Sequence, residues 1–439
     1  MKRFTLELDF FWGYEGRRDV RDSLLLKRKF PKVEILSWMN DDIEVGANFL
    51  KSQSWFVTSL TLKCEPTKTQ AFMNLLSLLP NLKDLKLVTC KFKDIESVVL
   101  KPLKALTKLD IKNHTEALKL FLISSIKSLV VHQPASDIDH LNNFLMKQKH
   151  LEELKITLTG ESDMRDHNEV AITGLLPKLR KFSLTAPKSY TISSENRLLK
   201  FLRTNGRFLE EIELQCEAVP EVYRFVFTQL KALKSLSVHS DLIPWSQNFY
   251  ADLNPSLNII VVKVHFSYWR LATTYLLKAF PHIQTLSTIY DDRPEGTLYA
   301  SYANLCLYEG NVQLPCLKYL HINEFDSVTQ LRLMLRHYRT IEYFSIHELY
   351  LNHVSTFLLR NLDELANIKH IKVRGGQIAM QKFFFCAKKI NFTRLESLEI
   401  IVRKVYGSID KKFFFCMKKR DERWTQDDFY LNMDVKQKF

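Results

Sequence analysis

Leu82–Leu87 reads LKDLKL, an apolar residue followed by two positions, a second apolar residue, one position and a third. The pattern ΦxxΦxΦ, where Φ is apolar, decides the fold because it recurs along the chain. It appears as VEILSW ending at Trp38, VTSLTL at Leu62, LKDLKL at Leu87, LTKLDI at Ile111, IKSLVV at Val131, LEELKI at Ile156, LRKFSL at Leu184 and LEEIEL at Leu214. It continues as LKSLSV at Val238, LNIIVV at Val262, IQTLST at Thr288, LKYLHI at Ile322, IEYFSI at Ile346, IKHIKV at Val373 and LESLEI at Ile400. These fifteen occurrences end 20 to 34 positions apart. Internal similarity at such a period is the signature of a repeat architecture.

Within the phrase, alternation marks a strand, with Leu85 and Leu87 turned inward and Lys86 outward. Between phrases lie amphipathic stretches such as TQAFMNLLSLLPN (69–81) and SDIDHLNNFLMKQKH (136–150), whose apolar residues recur at helical spacing. A single strand and helix cannot bury both apolar faces alone. Neighbouring units must stack, which predicts an α/β solenoid with a parallel concave β-sheet and convex helices. The competing α/β arrangement, a doubly wound sheet, does not repeat one phrase fifteen times and usually carries a glycine-rich phosphate turn. Neither GxGxxG nor GxxxxGK[ST] occurs, and glycine is scarce at 11 residues.

The phrase at this period resembles the leucine-rich repeat in its longer, helix-containing, ribonuclease-inhibitor-like form. LKDLKLVTC (Leu82–Cys90) fits LxxLxLxxC, the cysteine-containing form found in F-box proteins with leucine-rich repeats. The resemblance covers roughly residues 30–400. It implies a horseshoe solenoid over 1–402 with an irregular first unit, followed by a C-terminal helix and capping strand over 403–439. RFTLELDF (3–10) reads as a first strand and DDFYLNMDV (427–435) as a closing one. KRFTLELDF is similar to the sentence that follows the F-box in that family, and no recognisable F-box occurs in this chain.

The octapeptide KFFFCAKK (382–389) returns as KFFFCMKK (412–419). Both lie where a helix is expected, within QIAMQKFFFCAKKI (377–390) and SIDKKFFFCMKKRDERW (408–424). The expectation is a structural unit used twice, with Phe and Cys in the core and the lysines at the helix C-terminus, where cations complement the macrodipole. Seven cysteines, an odd number without CxxC or a Cys/His cluster, read as reduced thiols rather than a disulfide frame or zinc site. The acids within the N-terminal apolar residues argue against a signal peptide, and no uncharged apolar run is long enough for a bilayer. An intracellular, cytoplasmic or nuclear protein is expected.

The formal net charge of +14 is spread along the chain and interleaved with acids, so nucleic acid is not the expected partner. No GxSxG, HExxH or Cys/His constellation points to catalysis, and no cofactor or metal is expected. The third, fifth and seventh positions of each phrase project from the concave sheet. In three consecutive units they are Tyr319, His321 and Asn323, then Tyr343, Ser345 and His347, then His370, Lys372 and Arg374. Tyr and Arg are frequent interface anchors, so this grid is the candidate surface for a protein partner. Earlier units are mixed in charge, with Glu211 and Glu213 beside Lys181, and Lys108, Asp110 and Lys112 together. The long interval containing DDRPEG (291–296), taken to Val312 and Gln313, reads as a loop at the sheet edge.

The family resemblance implies a non-catalytic substrate-recognition part of a Skp–cullin–F-box ubiquitin ligase. Skp adaptor and cullin would be partners only with an F-box upstream. A stand-alone repeat scaffold or inhibitor is the alternative, and a basic RNA-binding solenoid a third reading.

Overall fold

The computed structural model describes residues 5–9, 35–39, 57–63, 67–88, 90, 92–93, 95, 103–134, 138–159, 172–186, 197–239, 242–244, 246–266, 270–290, 307, 312–322, 328–349, 367–375, 396–406, 409–420 and 423–425. The chain divides into two compact units, Met1–Val219 and Pro220–Lys438. Each is built from the repeating strand phrase, and the architecture is that of a leucine-rich-repeat α/β solenoid.

In the first unit, strands β1 (Thr5–Asp9), β2 (Ile35–Met39), β3 (Ser59–Lys63), β5 (Asp84–Val88), β7 (Lys108–Lys112), β8 (Ser128–Pro134), β9 (Glu153–Thr159), β10 (Lys181–Thr185) and β11 (Glu211–Gln215) pair in that order, all parallel. The short β4 (Thr67–Lys68) and β6 (Phe92–Lys93) form a separate parallel pair. Helices α1 (Thr69–Ser77), α2 (Ile138–Leu145) and α3 (Arg197–Asn205) and the 3-10 turn Thr115–Phe121 return the chain between strands. RFTLELDF thus does supply the first strand.

The second unit holds β12 (Ser235–His239), β13 (Val261–Phe266), β14 (Thr285–Tyr290), β15 (Tyr319–Ile322), β16 (Tyr343–Leu349), β17 (His370–Gly375) and β18 (Ser397–Tyr406), again parallel in sequence order. Its helices are α4 (Pro220–Thr228), α5 (Gln247–Ala251), α6 (Arg270–Ala279) and α7 (Val328–His337).

Register explains why the phrase has its form. Leu60 and Leu62 stand beside Leu85 and Leu87, which stand beside Leu109 and Ile111, so like positions stack. The leading apolar residue lies just before each strand and is equally buried: Leu82, Leu106, Ile126 and Leu151 are all at most 1% exposed. Aromatic residues on the returning segments fill the space behind the sheet. Phe72 packs on Phe92 at 4.7 Å between ring centroids, Phe182 on Phe201 at 5.1 Å, and Phe227 meets Phe280 edge-on at 5.4 Å.

The backbone adds a second constraint at the entry to many of the strands. Two successive N–H groups donate to one carbonyl of the preceding repeat: Lys83 and Asp84 to Thr58 O at 2.8 and 3.0 Å, Thr107 and Lys108 to Lys83 O at 2.9 Å each. In the second unit Lys318 and Tyr319 donate to Gln284 O at 2.9 Å each, and Glu342 and Tyr343 to Lys318 O at 2.9 and 3.0 Å. These contacts satisfy buried backbone groups and fix each strand against sliding.

Cys90, the ninth residue of LKDLKLVTC, is buried and its thiol donates to Leu62 O at 3.5 Å, tying one repeat to the backbone of the one before. Cys216 is also buried, and desolvation pushes its thiol up to about 12.

Two expectations change. The phrase at 257–262 is framed two residues too early: Val262 and Val264 stand beside Leu236 and Val238, so the leading residue is Ile259, fully buried, while Leu257 is 75% exposed. The run LNIIVVKV (257–264) fits the pattern in either frame, as Leu257, Ile260 and Val262 or as Ile259, Val262 and Val264, and only pairing selects one. The segment 408–424, expected to be helical, instead contains β19 (Ile409–Arg420), antiparallel to β18 from Ser397–Lys418 to Tyr406–Ile409, and β20 (Arg423–Thr425) follows antiparallel to β19. Three consecutive phenylalanines favour an extended backbone, and the free edge of β18 offers hydrogen bonds that a helix would leave unused. Residues 377–390, the 291–296 turn and 427–435 lie outside the described residues.

The frame correction is testable by denaturant unfolding. Ile259→Ala should cost about 2–5 kcal/mol, as for a fully buried large aliphatic residue, and Leu257→Ala should leave the midpoint unchanged. Native alkylation at pH 8 should modify Cys316, which is exposed, while peptides containing Cys90 and Cys216 stay unmodified until the protein is denatured.

Candidate functional site: a ring row on the second unit

Parallel in-register strands bring third-position side chains of successive repeats to one strand spacing, about 4.8 Å. On β15, β16 and β17 that position holds Tyr319, Tyr343 and His370, which are direct register partners. Their rings stack. Tyr319 and Tyr343 lie 4.4 Å apart at an interplanar angle of 19°, and Tyr343 and His370 lie 4.2 Å apart at 14°. Leu320, Phe344 and Ile371, the residues between, are buried, so the rings stand on the outward face above a packed core.

The row is braced at its β17 end. His370 Nδ1 shares a 2.7 Å hydrogen bond with Ser397 Oγ on β18, and His370 Nε2 lies 3.6 Å from a Glu396 carboxylate oxygen. Alongside, Lys369 Nζ donates to Glu342 Oε2 at 2.9 Å. That bond holds the Glu342 carboxyl below its ordinary range and the Lys369 ammonium above its own. Partial desolvation, helped by the Tyr319 hydroxyl and the Glu396 and Glu342 carboxylates, raises the Tyr343 phenol. The hydroxyl therefore remains a donor at neutral pH.

At the other end, the register partner of Tyr319 is Thr285, which is small. Tyr319 is 41% exposed and has no ring stacked on its β14 side among the described residues. It offers a flat face to an incoming planar group.

The fifth-position residues His321, Ser345 and Lys372 form a second row in register, and His347 and Arg374 lie further along β16 and β17. Asn323 lies outside the described residues. Sequence reading placed the ring residues in one row but missed the braces. Glu342, Lys369 and Glu396 occupy the second position of the phrase and Ser397 the third position of the next repeat. The second position read down successive repeats, Glu342, Lys369 and Glu396, is the signal in the sequence that exposes them.

The first unit differs. Its outward rows alternate in charge and pair internally: Lys181 with Glu211 at 2.6 Å, Lys86 with Asp110 at 3.4 Å and Lys155 with Glu213 at 3.8 Å. The acidic rung of Glu211 and Glu213 expected from sequence is thus neutralised by neighbouring lysines. Among the described residues no group of three or more His, Cys, Asp or Glu side chains is placed to hold a metal ion, and no helix is long and apolar enough to cross a membrane.

No protein-family model matches this chain, and no curated protein does so. Among solved structures it is similar to TLR13 in a TLR13–ssRNA13 complex, with 14% identity and a TM-score of 0.40 over 85% of this chain and 49% of that one. It is similar also to an internalin (inlF) from Listeria monocytogenes str. 4b F2365, with 13% identity and a TM-score of 0.28 over 79% of this chain and 82% of that one. The chain therefore spans about half the length of TLR13.

Proposed function

We propose that this chain is a non-catalytic protein-binding module whose contact surface is the outward face of β15–β17. The supporting observation is the stack of Tyr319, Tyr343 and His370. Aromatic rings fixed against one another lose little conformational freedom on binding, which is what an interface anchor requires. His347 and Arg374, further along β16 and β17, are included in the proposed surface by their place in the repeat.

Within that reading, the cellular role is substrate recognition for an F-box-type ubiquitin ligase. The LxxLxLxxC form of Leu82–Cys90 supports it, with Cys90 buried and bonded to the preceding repeat. Skp adaptor and cullin are then partners of the assembly and not of the ring row.

Tyr343→Ala removes the central ring. Affinity capture from native cells followed by mass spectrometry should show the principal partner depleted roughly 30-fold, the equivalent of about 2 kcal/mol, with melting unchanged. Undiminished capture would place the contact elsewhere. Skp and cullin subunits co-purifying with both wild type and Tyr343→Ala would support the ligase assignment, and their absence from both would replace it with a free-standing scaffold.

A further inference from the structure

In the first unit a short return segment leads into each strand, and five in succession, 103–106, 122–126, 146–151, 172–179 and 203–209, precede β7 to β11. Side chains of one segment bond the segment before it. Ser124 Oγ accepts from Leu103 N at 3.4 Å, Gln148 Oε1 from Ile126 N at 3.3 Å and Asn205 Oδ1 from Leu176 N at 2.6 Å. Between the third and fourth segments, Lys178 Nζ and His150 Nδ1 stand 3.2 Å apart. The five segments therefore make one continuous edge of the stack.

The edge is selective in what it exposes. Among the described residues, every large apolar side chain exposed in this unit lies on it, one in each of four consecutive segments. These are Ile123, Met146, Leu175 and Phe208, at 49%, 58%, 63% and 49%. Single exposed apolar residues are ordinary, whereas a line of them along one edge marks a contact. Six exposed cations share the edge, Lys104, Lys147, Lys149, Lys178, Arg203 and Arg207, and none has a carboxylate within ion-pair reach among the described residues. The five segments contain no Asp or Glu. Glu152 and Glu210, which follow at the strand entries, are held by Lys127 and Arg180 at 3.4 and 3.2 Å. Charge and apolar surface are interleaved: Lys147 follows Met146, and the Arg207 guanidinium lies 5.1 Å from the centre of the Phe208 ring.

We propose that this edge docks on the surface of an anionic membrane. Ile123, Met146, Leu175 and Phe208 enter the headgroup boundary, and the cations between them meet the phosphates and carboxylates of acidic lipids. Interfacial binding grows with the apolar area withdrawn from water and with the attraction of Lys and Arg to anionic headgroups, and this edge supplies both. An edge without carboxylates adds no repulsion from the same headgroups. The contact is peripheral, because it inserts side chains and not a helix. Nucleic acid fits less well, since it would use the cations on its phosphates and leave the apolar tips in water. An amphipathic helix of a partner protein lays its apolar face into a hydrophobic groove. Here the apolar side chains come singly from successive segments, with cations between them.

The test is sedimentation of the full chain with vesicles of phosphatidylcholine alone or of phosphatidylcholine mixed with phosphatidylserine. A fluorescein-labelled amphipathic helical peptide with glutamates on its polar face is measured in parallel by anisotropy. The chain should sediment with the mixed vesicles and stay in solution with phosphatidylcholine. Lys149→Gln, Lys178→Gln and Arg207→Gln together should weaken binding about tenfold. Lys200→Gln, Arg224→Gln and Lys263→Gln remove the same charge from exposed positions off this edge and should leave binding nearly unchanged. Met146→Ser with Leu175→Ser should weaken it about fivefold, with melting unchanged because both side chains are already exposed. No sedimentation with the mixed vesicles, equal losses from the two triple variants, or undiminished binding of the serine variant would each overturn the proposal. Capture of the peptide without the vesicles would overturn it too, and would give the edge to a protein partner.

Discussion

A single carbonyl that accepts two N–H groups from the following repeat governs everything on the outward face. Because Gln284 O holds both Lys318 and Tyr319, and Lys318 O holds both Glu342 and Tyr343, the strands cannot slip by even one residue. A one-residue slip would turn Tyr319 inward and Leu320 outward. The same contact recurs at strand entries in both units, so the side-chain rows are as regular as the backbone beneath them.

Given that regularity, chemistry on the face becomes a matter of reading down columns. In the first unit the columns alternate in sign and neutralise themselves through pairs such as Lys181–Glu211. Exposed pairs of this kind contribute little to stability, roughly 0–1 kcal/mol each, but they leave less unbalanced charge for a partner. In the second unit the columns hold stacked rings in one row and alternating serine and base in the next. Charge on such a face governs partner choice and association rate more than it governs the fold. One backbone scheme thus carries two faces of different character.

Much of this was legible in the sequence because an apolar phrase with period-two alternation has few ways to be buried. Fourteen of the fifteen phrases fall in frame on parallel strands and the one at 257–262 lies two residues early, and the third-position residues Tyr319, Tyr343 and His370 are neighbours from spacing alone. The miss at 257–262 arose because Leu257–Val264, apolar at six of its eight places, fits two frames. The miss at 408–424 came from weighing position in the repeat above local preference. Phe413–Phe415 favour extension, and Gly407-Ser408 between two apolar runs is the sequence signal of a two-residue hairpin connection.

The sequence by itself determined that strands would stack in parallel and which residues would face outward, since burial of leucine at fixed spacing depends only on local alternation and the need for neighbours. Tertiary structure decided the rest: which frame the 257–264 strand adopts, that β19 runs antiparallel against β18, and that Glu342, Lys369, Glu396 and Ser397 brace the ring row. The frame and the braces depend on distances between residues about 26 or 27 positions apart, which exist only after neighbouring repeats have locked in register, and the hairpin depends on the edge that β18 offers once the stack has formed.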